Sequence, residues 1–192
     1  MRVALVSTAK KSGCPPIGLV YLASYIKENS QHQVEIIDAN YQDIFKTDYI
    51  HYQIIGISAM TVNYDKAKRL ALKINSYHKA PIIIGGVHIS TCLDSQSFHV
   101  FDSMIIGEGE RSFIRLLQDF EDKGYCEDEY REYAISNLDE LTPPDWNLID
   151  KRYFHRQFNT TFAEWGIEGW LLTARGCPYK CRFCSTTQFW NK

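Results

Sequence analysis

The sequence predicts an α/β fold, a doubly wound parallel sheet over roughly residues 1–125. Three observations carry that expectation. Short runs rich in Val and Ile recur without apolar–polar alternation, the pattern of strands buried on both faces. Between them lie stretches with apolar residues at helical spacing. The runs end in Ser or Gly rather than in further apolar residues. Strands alternating with helices, joined by right-handed crossovers, close into an open parallel sheet.

Residues 2–6 read as the first strand. Pro15 and Pro16 precede a helix over Ile17–Lys27, where a missing N–H costs little. Val34–Asp38 and Gln53–Ser58 read as the second and third strands. Ala67, Leu70, Ala71, Ile74 and Tyr77 fall on one face of the next helix. Pro81–Gly86 is the fourth strand and Ser103–Gly107 the fifth. Glu108-Gly109-Glu110 leads into a helix with Phe113, Leu116, Leu117 and Phe120 on one face. A further short strand is expected within Tyr130–Ile135.

Three divisions follow: an α/β domain over residues 1–136, a connection over 137–169 and a last segment over 170–192. Turn chemistry and two prolines mark Asn137–Trp146. The aromatics of the connection, from Trp146 to Trp165, argue against a free linker and for a segment that packs. Trp170–Ala174 reads as a last strand feeding a cysteine loop.

Composition excludes more than it assigns. A net charge of −2 makes no case for nucleic acid or an anionic membrane. No run approaches the roughly 20 apolar residues that span a bilayer, and the N-terminus has no signal-peptide core. A cytoplasmic protein with reduced thiols is the expectation.

Ligands of such sheets bind outside the carboxyl ends of the strands, where strand order reverses. The residues there are Ser7–Gly13, Ser58–Thr61, Gly85–His88 and Gly107–Glu110. Paired glycines let another molecule approach the backbone. Ser58 and Thr61 offer hydroxyls, although helix capping explains them equally well. His88 reads as a loop histidine or a ligand. Glu108 and Glu110 flank a glycine at a helix start, where the dipole favours carboxylates, or they make a ligand or interface contact.

The densest chemical signal is Arg175-Gly176-Cys177-Pro178-Tyr179-Lys180-Cys181-Arg182-Phe183-Cys184. Three thiolates can hold three irons of a [4Fe–4S] cluster and leave the fourth open. The alternatives are a structural zinc, with a fourth ligand from Cys14, Cys92, Cys126 or His155, and unligated cysteines. Cys14, Cys92 and Cys126 stand alone in sequence and are expected as small buried hydrophobes.

The C-x3-C-x-aromatic-C pattern resembles the radical S-adenosylmethionine (SAM) enzymes. The resemblance implies a [4Fe–4S] cluster on Cys177, Cys181 and Cys184, SAM on the open iron, and backbone near Phe183 against the SAM adenine. The upstream stretches resemble the N-terminal cobalamin-binding domain of one large group of these enzymes. They are Pro15–Leu19, Gly56–Thr61, Ile84–His88, Ile106–Glu110 and Leu172–Cys177. That group includes methyltransferases and enzymes of the anaerobic magnesium-protoporphyrin cyclase type. The resemblance implies a corrin lying across the strand ends. Its contacts would come from Ser58, Thr61, Gly85, Gly86, His88, Gly107, Glu108 and Gly109.

One departure stands out. Members with a lower-axial histidine carry D-x-H-x-x-G after strand one, and this chain has Ser7–Cys14 there without histidine. Cobalamin without that ligand is expected.

The chain thus resembles the N-terminal part of a cobalamin-dependent radical SAM enzyme for radical methyl transfer: the upstream domain plus the first βα unit of a truncated barrel. The fragment alone is expected to be inactive, with residues 150–192 poorly packed or paired with another copy. A small-molecule substrate and an electron donor such as flavodoxin or ferredoxin are the implied partners. Two alternatives stay open. One is a cyclase or oxidoreductase without methyl transfer. The other is a non-catalytic cobalamin module with a zinc-binding or unligated cysteine tail.

Overall fold

Each apolar run puts alternate side chains on opposite faces of one sheet, so helices are required on both. A computed structural model of the chain describes residues 1–10, 13–92, 99–132, 135–154 and 169–190. The strands are β1 (Arg2–Ser7), β2 (Gln33–Asp38), β3 (Ile54–Ser58), β4 (Ile82–Gly85), β5 (Ser103–Gly107) and β6 (Glu129–Glu132). They form one sheet in the order β2-β1-β3-β4-β5-β6, with every pair parallel. The helices are α1 (Ile17–Asn29), α2 (Tyr64–Asn75), α3 (Val87–Thr91), α4 (Gly109–Lys123) and α5 (Thr186–Trp190).

Two apolar layers result. Val3, Leu5, Ile54, Ile83 and Ile105 pack under α1 and α4. Ala4, Val6, Ile55, Ile57, Ile82, Ile84 and Ile106 pack under α2 and α3. Strand order reverses between β1 and β3, which makes their carboxyl ends the switch point of the sheet.

Several expectations need correction. α2 ends at Asn75, and Tyr77 lies beyond it, exposed. The last strand is Glu129–Glu132 rather than a stretch reaching Ile135. It lies at the edge, so only its β5 side needs pairing. α4 packs on α1, whereas α2 lies on the other face. The step from β5 to β6 runs the same way along the sheet as that from β3 to β4. The crossover through α4 therefore has the opposite hand, and the uniform hand expected from sequence does not extend to it.

The described part of the connection, residues 137–154, packs, as Trp146, Tyr153 and Phe154 require, while Phe158, Phe162 and Trp165 lie outside the described residues. Asn137, Asp145 and Asp150 each accept a backbone N–H two residues on and start a short 3-10 turn. Asp145 N donates to Ser24 Oγ at 2.7 Å, and Lys27 Nζ reaches Asp145 at 2.7 Å. Tyr153 is fully buried. Its hydroxyl donates to the Asp38 carboxylate and accepts from Asn40 Nδ2 at 2.6 Å. Burial, then the Asp38 bond, push the Tyr153 phenol well above its ordinary range. Trp170 closes an aromatic cluster with Trp146, Tyr153 and Phe154.

Residues 170–174 form no strand. Among the described residues no strand lies beside them, and an unpaired strand has no ladder to hold it. Poor packing describes Leu171, Tyr179 and Phe183, which are exposed, but not Tyr153, nor the buried Arg175 side chain.

Candidate functional site

A cavity of about 150 Å³ opens at the carboxyl edge of the sheet, on the α1 and α4 face. Gly56 and Ser58 of β3, Gly85 ending β4 and Gly86 after it, and Gly107 ending β5 wall it on the sheet side. Leu22 of α1 and Phe113 of α4 wall the other side. Glu108, between β5 and α4, and Gly109, the first residue of α4, complete the rim. Leu172, Arg175, Phe189 and Trp190 form the roof. An apolar cavity of about this size accommodates a ring such as benzene. Six of the eight sequence-predicted corrin contacts therefore share one hollow: Ser58, Gly85, Gly86, Gly107, Glu108 and Gly109.

Two glycines shape the edge. Gly86 has φ 100°, and a Cβ there would lie 2.8 Å from Ala59 O. Gly107 has φ 83°, and its Cβ would lie 2.5 Å from Glu132 O. Both turn the chain sharply at a strand end in a conformation that side chains strain. Ser90, which sequence reasoning passed over, ties them together. Its hydroxyl donates to Gly86 O at 3.1 Å and accepts from Gly107 N at 2.9 Å. Thr8, within the predicted Ser7–Gly13 strand end, donates its hydroxyl to Ser58 O at 2.9 Å. Ser90 belongs to no motif, and only the fold brings it to the edge.

Thr61 and His88 do not line the cavity. His88 is buried, with Nδ1 3.1 Å from Thr61 Oγ1 and its ring stacked 4.0 Å from the Tyr64 ring. A solvated loop histidine is thus corrected to a packed one. Near them Met60, Val62 and Val87 are exposed, an apolar fringe beside the strand ends.

The acidic pair is buried on the roof side. Glu108 caps α4 and accepts Ile135 N at 2.9 Å. Arg175 Nη2 donates to Glu110 Oε1 at 2.6 Å, and Nη1 lies 3.6 Å from Glu108 Oε2. The fold makes both readings of these carboxylates true at once: they stand at the start of α4, and Arg175 meets them from the cysteine segment.

The cysteines behave differently. Cys181 is exposed, and Cys177 and Cys184 are half-buried. Among the described residues no three His, Cys, Asp or Glu side chains gather as a metal site, so the three thiols do not converge here. Thiolate ligands repel one another, and cluster loops take their final geometry from metal bonds. The donor set fits a cluster in type and spacing. The Thr186 hydroxyl and backbone N–H hold the Cys184 thiol below its ordinary range, which favours the ligating form. Phe183 is 94% exposed. Cys14 and Cys92 are exposed rather than buried; Cys14 lies in the loop between β1 and α1, and Cys92 directly follows α3. Cys126 is half-buried, and burial with Asp102 and Asp119 nearby pushes its thiol up to about 12. His155 lies outside the described residues, as does Lys11 of the first loop.

Residues 3–117 match the B12 binding domain family. The chain is 27% identical over 201 residues to an uncharacterized methyltransferase of Pyrococcus horikoshii, covering 93% of this chain and 42% of that protein. It is 27% identical over 208 residues to the anaerobic magnesium-protoporphyrin IX monomethyl ester cyclase of Rubrivivax gelatinosus, covering 92% and 36%. The chain therefore spans about two fifths of these relatives' length or less. Among solved structures it matches the fold of the radical SAM methyltransferase TsrM from Kitasatospora setae, with cobalamin and a [4Fe-4S] cluster bound. The TM-score is 0.53 at 17% identity, over 63% of this chain and 26% of that one.

Proposed function

The chain belongs to the B12 binding domain family, and from that premise we propose that it is the cobalamin- and cluster-binding part of a radical SAM enzyme that transfers methyl groups. One observation carries the reading. The glycine-walled cavity at the strand ends is roofed by the segment that bears Cys177, Cys181 and Cys184. A corrin ligand and an iron–sulfur cluster would then meet at one edge of one sheet.

When bound, the cluster and SAM supply a carbon radical and cobalamin supplies a methyl carrier. This chain's residues supply position. Gly85, Gly86 and Gly107 leave room for a ligand against the backbone. Leu22, Phe113 and the sheet face keep water from the tail of that ligand. Cys177, Cys181 and Cys184 hold three irons. The Phe183 backbone would contact the SAM adenine, and Thr61 and His88, which lie outside the cavity, would contact the corrin beyond it. No histidine of the β1 loop reaches for the metal of the corrin. The substrate is a small molecule, the electron donor is of the flavodoxin or ferredoxin type, and the compartment is the cytoplasm. Among the described residues no helix is long and apolar enough to cross a membrane.

Anaerobic reconstitution with iron, sulfide and hydroxocobalamin tests this. After desalting, near four irons and four sulfides with retained corrin bands are expected. Alanine at Cys177, Cys181 or Cys184 should remove the iron and spare the corrin. Zinc without sulfide, or neither cofactor, overturns the reading for this chain. A second reading keeps the radical chemistry and drops methyl transfer; the equal identity to a cyclase favours it. Label from the SAM methyl group appearing in product separates the two.

A further inference from the structure

The roof of the cavity is held by a charge cluster that spans the two parts of the molecule. Glu108 and Glu110 are 3% and 5% exposed, and both stand at the start of α4. Buried carboxylates need a partner. The one that comes from the cysteine segment is Arg175, whose side chain is 5% exposed. Its guanidinium donates to Glu110 at 2.6 Å and lies 3.6 Å from Glu108. It also lies over the Tyr21 ring of α1 at 5.4 Å and the Trp190 ring of α5 at 5.6 Å. One side chain therefore joins α1, α4 and α5. It stands two residues before Cys177. Leu172 N adds a long contact of 3.4 Å to the Tyr21 hydroxyl. Lys180 and Arg182, the other basic residues of the loop, are exposed.

We propose that Arg175 is a positioning residue. Held by Glu108 and Glu110, it fixes the cysteine loop over the mouth of the cavity and so sets the cluster against the corrin. The identity of those two groups rests on the function proposed above; the latch itself does not. Arg suits the task because its planar fork can face two carboxylates while its flat sides stack on rings. A lysine keeps the charge and loses the fork.

The test uses the apo chain under reducing conditions. Alkylation by iodoacetamide is followed at each cysteine by mass spectrometry, with the protonated, half-buried Cys126 of the sheet domain as a sentinel that reacts only if that domain unfolds. Arg175→Met should raise the rates at Cys177 and Cys184 by about tenfold, the worth of one charge-assisted hydrogen bond to a docking equilibrium. Cys126 should not change. The lost positive charge alone would slow the two thiols, so a rise reports release. Glu110→Gln should produce the same rise, and the double variant no more than either single one. Arg175→Lys should fall between wild type and Arg175→Met. Unchanged rates at Cys177 and Cys184 in Arg175→Met, with wild-type circular dichroism, overturn the proposal. If Arg175→Met fails to fold, unchanged rates in Glu110→Gln do so. Failure to bind iron or corrin sinks the proposed function and leaves this measurement standing.

Discussion

The sheet domain and the cysteine segment are built on opposite terms. The six strands bury nearly all of their apolar side chains between two layers of helices. Residues 169–185 form no strand or helix, and Tyr179 and Phe183 stand 73% and 94% exposed. The first region draws its stability from apolar area, which needs only the chain itself. The second is tied down at a few polar and aromatic points: Trp170, Arg175 and Trp190. A loop that must close around a metal cluster gains little from a packed apolar shape of its own. The sheet domain acts as platform and the segment as a tethered arm.

Substitutions that sharpen this contrast rank as follows. Phe113→Ala, on the buried face of α4, should cost about 3–5 kcal/mol in urea unfolding. Tyr179→Ala in the arm should stay within about 0.5 kcal/mol. Similar costs for the two would break the comparison. Gly107→Val meets a positive φ and the Glu132 carbonyl and should cost about 1–3 kcal/mol. It should also weaken corrin retention, since the edge it distorts is the cavity wall. Tyr153→Phe removes a hydroxyl shared by Asp38 and Asn40 and should cost about 2 kcal/mol. That loss would show that the connection belongs energetically to the platform.

The smallest effect is one of pH. Arg152, through its side chain and its backbone N–H, holds the Asp150 carboxyl down at about 2, against burial that opposes it. A depressed folded pKa gives stability that is full above the unfolded value and is lost as pH falls toward the folded one. Asp150→Asn should therefore flatten the thermal stability profile between about pH 4 and pH 2. At this partly exposed pair the difference is a few tenths of a kcal/mol.

The legible part of the molecule was its short-range code. Short, mostly apolar runs announced β1 to β5 because strands buried on both faces have little polar side to show. β6 was misplaced because Glu129–Glu132 is polar on its outer face and looks like loop. Glycines announced the strand ends, and with them most of the cavity wall. Ser90 was not legible, nor was the bond from Thr8 to Ser58, since one hydroxyl in a short helix or loop has no spacing to betray its partner.

The sequence by itself determined the parallel sheet, the glycine edge and the three cysteines with their spacing. Each follows from neighbours within a few residues. Only the tertiary structure decided which groups meet. It moved Thr61 and His88 off the cavity, left Trp170–Ala174 without a strand, and brought Arg175 to Glu110 across 65 residues of chain. A contact over that distance depends on where α1, α4 and α5 come to rest, and no local periodicity records that.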